Sequence, residues 1–172
     1  VEVKGKYLQK INETKISDKN WNVSHLKLLK QNYRKAKFYK ETIGWIEELY
    51  LKCNFQYLSE INVYFINEIN RFLKINTEIK FSRDFFLDKD RNIRLINICK
   101  ELNATDYFSG PAAKKYIEEK LFSENNINIH YFNNTNYPKY QQLFGDYNHN
   151  LSILDLIFNT GLNSSNFINN QP

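Results

Sequence analysis

Apolar residues recur at helical spacing along the first part of the chain. Val23, Leu26, Leu29 and Tyr33 form one stripe with Lys and Arg opposite, and Asp18 or Asn20 stands where a helix cap belongs. A second stripe, in residues 40–53, carries Ile43, Ile46, Leu49 and Tyr50. A third starts near Ser59 and runs through Ile61, Tyr64, Phe65, Ile69, Phe72 and Leu73. These patterns predict three helices joined by short links.

The period changes after residue 76. Residues 77–81 alternate as a strand does, and residues 89–102 return to helical spacing with Ile93, Ile96, Cys99 and Leu102 inward. A short strand over 104–108, a helix over 112–122 and a strand over 127–132 complete a β-α-β-α-β order. Such a unit makes a right-handed, mostly parallel sheet covered by helices. Residues 133–150 are polar and aromatic with no clear period, a link long enough to suggest a function. An apolar helix over 151–158 follows, with Gly161 placed to stop it. The expected fold class is α/β: a helical N-terminal half, the β-α-β-α-β unit, and a C-terminal helix. Residues 1–162 are expected to form a single domain and 163–172 a flexible polar tail. Val1, Glu2 and Val3 open as an alternating strand and Met is absent, so the chain is expected to lack its natural N-terminal segment.

Composition narrows the classes. A chain of 172 residues with 42% hydrophobic and 16% aromatic residues can bury a core without disulfides or metal, which excludes general disorder. No apolar run approaches the roughly 20 residues of a membrane span. With no signal peptide either, the expected location is the cytoplasm. The net charge of +5 suits an anionic small molecule, but the excess is scattered, so DNA or RNA is not expected as a partner. Cys53 and Cys99 sit in apolar settings and read as buried thiols; neither they nor the three dispersed histidines suggest a metal site or a cofactor.

Four places could carry chemistry. In the run from Thr105 to Pro111, a strand ends, Ser109 stands at a cap position, Gly110 allows close backbone approach, and Pro111 suits a first helical turn. With Asp106, these residues form a candidate substrate-binding turn for a phosphate or carboxylate at the carboxyl end of a strand. The alternative is simply a good helix start. Ser152, Asp155 and Asn159 make a narrow polar stripe on the apolar last helix, with Ser152 and Asn159 taken as substrate-binding. Asp155 there needs partners or a site, because an unpaired buried carboxylate is costly. It could orient a base or accept from a hydroxyl or amine; alternatively it fixes the preceding loop in a structural network. Tyr131, Tyr137, Tyr140, Tyr147 and His149 surround that loop and suit stacking on a sugar or base, with Tyr137 taken as substrate-binding. His25 is a candidate general base, against a plain surface or packing role.

Several stretches resemble one family over nearly the whole chain. They are the opening residues 1–12, the run from His25 to Phe38, Arg94 to Gly110 with Lys114 and Tyr116, Tyr137-Pro138, Gly145, and Leu151-Ser-Ile-Leu-Asp-Leu-Ile-Phe-Asn-Thr-Gly161. Together they resemble the WbqC-like family. The resemblance implies a bacterial protein of lipopolysaccharide O-antigen or other surface-polysaccharide biosynthesis. It points to a transferase modifying a nucleotide-activated (amino) sugar, with a non-catalytic partner or scaffold of the same pathway as the alternative. On that reading Ser109 and Gly110 hold an anionic group, while Asp155, Asn159 and His25 orient the reacting amine or hydroxyl. Association into a homo-oligomer stays open. Members usually begin with a Met-Gln-Pro-Tyr-Phe-Phe-Pro-Tyr-like motif, absent here, and often have a Gly-rich stretch where this chain has Pro111-Ala-Ala113.

Overall fold

The computed structural model describes residues 1–2, 4–132 and 137–168. Its helices and strands are, in order, α1 (Trp21–Tyr33), α2 (Tyr39–Leu51), α3 (Leu58–Phe72), α4 (Arg91–Glu101), β1 (Asp106–Ser109), α5 (Glu119–Glu124), β2 (Asn128–Tyr131) and α6 (Ile153–Thr160). The fold is of the α/β class. Contacts divide it into two compact units, Val1–Asn76 with Tyr137–Pro172, and Thr77–Asn136.

In the first unit, α1, α2 and α3 begin and end within a few residues of the positions their stripes predict, and α6 is added from the far end of the chain. Leu26, Ile46, Leu49 and Tyr50 pack with Leu154, Ile157 and Phe158 in one core. Tyr33 stacks on Phe158 at 4.5 Å between ring centroids, and the Phe38 N–H donates to the Phe158 carbonyl at 3.0 Å. Val23 departs from its expected stripe and lies exposed, while Trp21 packs against the core instead. Gly161 ends α6 with φ +61°, and a Cβ there would lie 2.6 Å from Cδ1 of Phe38. Both backbone and packing therefore demand glycine. Gly161–Phe167 continues as a 3-10 helix with Ser164 fully buried, its hydroxyl donating to the Gly161 carbonyl at 2.6 Å. Of the tail expected over 163–172, residues 169–172 lie outside the described residues, as do 133–136 of the expected loop. Val3 of the expected opening strand is likewise outside; Glu2 donates its N–H to the Lys15 carbonyl.

In the second unit, the Asp90 side chain caps α4 by accepting the Ile93 N–H at 2.9 Å. Strands β1 and β2 pair in parallel, Asp106 opposite Asn128 and Phe108 opposite His130. Their inner face meets Ile96, Cys99, Ala113, Ile117, Phe122 and Ile127. The strand expected over 77–81 does not form. Its alternation is real, but Ile79 and Phe81 stay exposed and no neighbouring strand takes up its backbone, so the sheet has two strands. The helix expected over 112–122 is also interrupted, into a 3-10 turn (Pro111–Lys115) and α5. Buried Asn92 accounts for the break: its amide donates to the Tyr116 carbonyl at 3.3 Å and its oxygen accepts the Glu118 N–H at 3.1 Å. Leu102, expected inward, is exposed at the end of α4. Cys53 and Cys99 are buried free thiols, and burial pushes both thiols up.

Candidate functional site

Ser152 opens α6, its Oγ accepting the Leu154 N–H at 3.3 Å. The helix is then buried from Leu154 to Thr160, so its polar side chains must find partners within the protein. Asp155 is 4% exposed and accepts a 2.7 Å hydrogen bond from the Tyr140 hydroxyl. Burial pushes the Tyr33 phenol up to about 12, helped by the charge of Asp155 and a hydrogen bond to it. The Tyr140 phenol is raised as well, by burial first; Gln142 opposes the shift and Asp155 reinforces it. Two phenols thus converge on one carboxylate. Asn159 is turned away from this group: its amide donates to the Asp155 carbonyl at 2.8 Å, a bond along its own helix. It is 8% exposed.

The loop before α6 is tied around Gln142. Its Nε2 donates to the Asn148 carbonyl and its Oε1 accepts the Asn148 N–H, both at 2.8 Å. This clip holds Tyr140 and Tyr147 edge to face at 5.5 Å, and Tyr147 and His149 likewise at 4.6 Å. The result is a cleft of about 300 Å³ lined by Tyr137, Tyr140, Tyr147, His149, Ser152 and Phe167. Lys139 lies over the Tyr147 ring at 5.7 Å. Asp155 does not line this cleft but borders a neighbouring one of about 390 Å³, with Tyr33 and Gln142. Tyr137 and Ser152, two expected substrate-binding residues, therefore share a cavity, and Asp155 reaches it only through Tyr140.

His25 is elsewhere in the same unit. It lines an apolar groove of about 540 Å³ with Trp21, Ile61 and Phe65, standing edge-on to Trp21 at 5.3 Å. The structure thus separates His25 from Asp155, with which it was expected to act.

Asp106, Ser109 and Gly110 belong to the second unit. Ser109 is partly buried and Gly110 is exposed with open space around its α-carbon. The turn after them is a five-residue 3-10 helix, too short to develop the helix dipole that motivated an anion site. Asp106 is better furnished: Oδ1 lies 2.7 Å from His130 Nε2, Oδ2 accepts from the Thr105 hydroxyl at 2.7 Å, and the Asn128 amide donates to Oδ1 at 3.4 Å. The hydrogen bond with His130 comes first among the causes holding its carboxyl below the usual range. His130 was missed by sequence reasoning. The available signal was the strand alternation that puts Asn128 and His130 on one face. Among the described residues, no group of three or more His, Cys, Asp or Glu side chains is placed to hold a metal ion, and no helix is long and apolar enough to cross a membrane.

The turn between Thr105 and Pro111 and the helix ending at Gly161 are among the segments that carried the family resemblance, and a model of the WbqC-like protein family matches residues 1–167. The chain belongs to the WbqC-like protein family. It is also 36% identical over 168 residues to the uncharacterized protein Rv1507c of Mycobacterium tuberculosis, covering 98% of this chain and 73% of that protein. No solved structure matches. In this WbqC-like chain, the C-terminal motif has a structural explanation: Asp155 joins α6 to the tyrosine loop, and Gly161 admits Phe38.

Proposed function

We propose that this WbqC-like protein is a transferase that modifies a nucleotide-activated amino sugar in bacterial surface-polysaccharide synthesis, lipopolysaccharide O-antigen being the product class. Family membership suggests a polysaccharide-biosynthesis-related role. The observation that carries the finer reading is the aromatic cleft beside α6. Tyrosine faces suit the apolar side of a sugar ring, and hydroxyls at the same wall suit its polar edge. In this reading Tyr137 and Tyr147 hold the ring, Ser152 meets a hydroxyl, and Lys139 meets the diphosphate. His149, which lines the cleft, takes the role of general base in place of His25. Asp155 is a positioning residue that fixes the Tyr140 hydroxyl. Such a substrate agrees with a cytoplasmic location.

The internal use of Asp155 and Asn159 favours a second reading, a non-catalytic partner in the same pathway. Thermal shifts with nucleotide-linked amino and neutral sugars separate the two. A shift selective for amino sugars and lost in Tyr137→Ala is the expected result. No shift with any of them, in a protein that melts cooperatively, would sink the transferase reading and leave the partner role.

A further inference from the structure

The outer face of the strand pair in the second unit carries a combination of groups that the fold does not use. Phe108 is 56% exposed and Phe132 49%, both large apolar rings left in water. The His130 ring lies against Phe108 at 4.6 Å and 18° between planes, and Phe132 approaches Phe108 at 5.7 Å. Packing within a small unit explains the inner face, where Tyr107, Ile129 and Tyr131 meet the core, but it does not explain three clustered rings outside. Clustered exposed apolar surface rimmed by polar groups marks a binding surface. The rim here is Asp106 and Asn128, on the same face by strand register.

We propose that this face binds an oligosaccharide, neutral or amine-bearing, through the Phe108–His130–Phe132 rings and the Asp106 carboxylate. The rings take the C–H side of a pyranose, and the carboxylate and amide take hydroxyls or an amine at its edge. The polar rim decides the ligand's charge. Asp106 is held ionised through the neutral range by His130 and Thr105, so an acidic sugar or a phosphate meets like charge. The Asn128 amide donates to Asp106, and a side-chain amide oxygen at this edge can accept from a hydroxyl. His130 is a positioning residue: it orients the carboxylate through Nε2 and braces Phe108 with its ring. The proposal stands on this face alone and not on the tyrosine cleft of the first unit.

Aromatic and imidazole NMR signals of the whole chain, titrated with three trisaccharides, test it. The probes are a glucosamine trimer (amine-bearing), its N-acetylated form (neutral) and a galacturonate trimer (acidic). The first two should shift the Phe108, His130 and Phe132 signals at millimolar concentrations, and the acidic trimer should not. Phe108→Ala should weaken binding about tenfold, the size of one lost stacking contact. Phe132→Ala should act in the same direction, with melting temperature confirming the fold of both. Asp106→Asn should retain the neutral trimer and lose the preference for amine over acid. No shift at these rings, equal binding of the acidic trimer, or affinity unchanged in both Phe variants would overturn the proposal. Because the probes carry no nucleotide and their signals come from the second unit, these results are independent of the thermal-shift outcome for the cleft.

Discussion

Asp155 and Asp106 are both carboxylates set among apolar neighbours in sequence, yet the two units treat them in opposite ways. Asp155 lies buried in the first unit and accepts from the Tyr140 phenol, with Tyr33 held near it. Asp106 lies on the outer sheet face of the second unit, bonded to His130 and Thr105 but open to water. Inside, a hydrogen bond replaces lost hydration, and removing one partner strands the other. Outside, water competes for every such bond, so the pair adds little to stability and its groups remain free to meet a ligand. The same polar interruption of an apolar pattern is thus bonded inside the protein when covered, and stands open to solvent when not.

The two units should differ most in their response to losing an aromatic ring. Phe158→Ala removes a fully buried ring stacked by Tyr33 and Tyr39 and should cost about 3–5 kcal/mol. Phe108→Ala, at the exposed face, should change stability by less than about 0.5 kcal/mol. Both tryptophans, Trp21 and Trp45, are in the first unit, so urea unfolding followed by tryptophan fluorescence reads the first change there. A Phe158→Ala cost below that of Phe108→Ala would contradict the contrast.

The carboxylates come next. Asp155→Ala leaves the Tyr140 and Tyr33 hydroxyls short of a buried acceptor and should cost about 1–3 kcal/mol. Asp106→Ala should leave the unfolding midpoint unchanged. Equal losses from the two substitutions, in circular dichroism melts, would show that exposure does not separate their roles.

The smallest effect concerns pH. Tyr33 has its phenol raised from 10.0 to about 12 in the folded protein, so the folded state holds its proton more tightly than the unfolded one. Its contribution is fully present below pH 10 and is lost as pH rises from 10 through about 12. Tyr140 adds in the same direction. Melting temperature should therefore fall across this window, and Tyr33→Phe should flatten part of the fall. An identical slope in the variant would show that Tyr33 does not contribute.

The helices of the first unit were legible because an amphipathic stripe needs only its own residues to declare itself. Ile46 and Leu49 announce a buried face without naming what covers it. Residues 77–81 show the limit of the same reasoning for strands, since alternation says nothing about whether a neighbour supplies hydrogen bonds. The broken helix after Pro111 depended on Asn92, a residue from another element that no local pattern points to. At the candidate sites, Asp155 was visible as a group needing partners, and Tyr137 and Ser152 as neighbours of one loop. The Tyr140 bond to Asp155 and the His130 bond to Asp106 were not visible. Each joins residues whose approach is set by packing or by strand register.

The first unit is discontinuous: Thr77–Asn136 is inserted between its two parts. During synthesis, α1 and α2 leave the ribosome with Leu26, Ile46 and Leu49 still missing their partners Ile157 and Phe158. The second unit is a single stretch with local contacts and can close first, whereas the first must wait for α6 across a long loop. The apolar faces of α1 and α2 are thus exposed longest in the nascent chain, and that interval is when chaperone capture or aggregation has its opening.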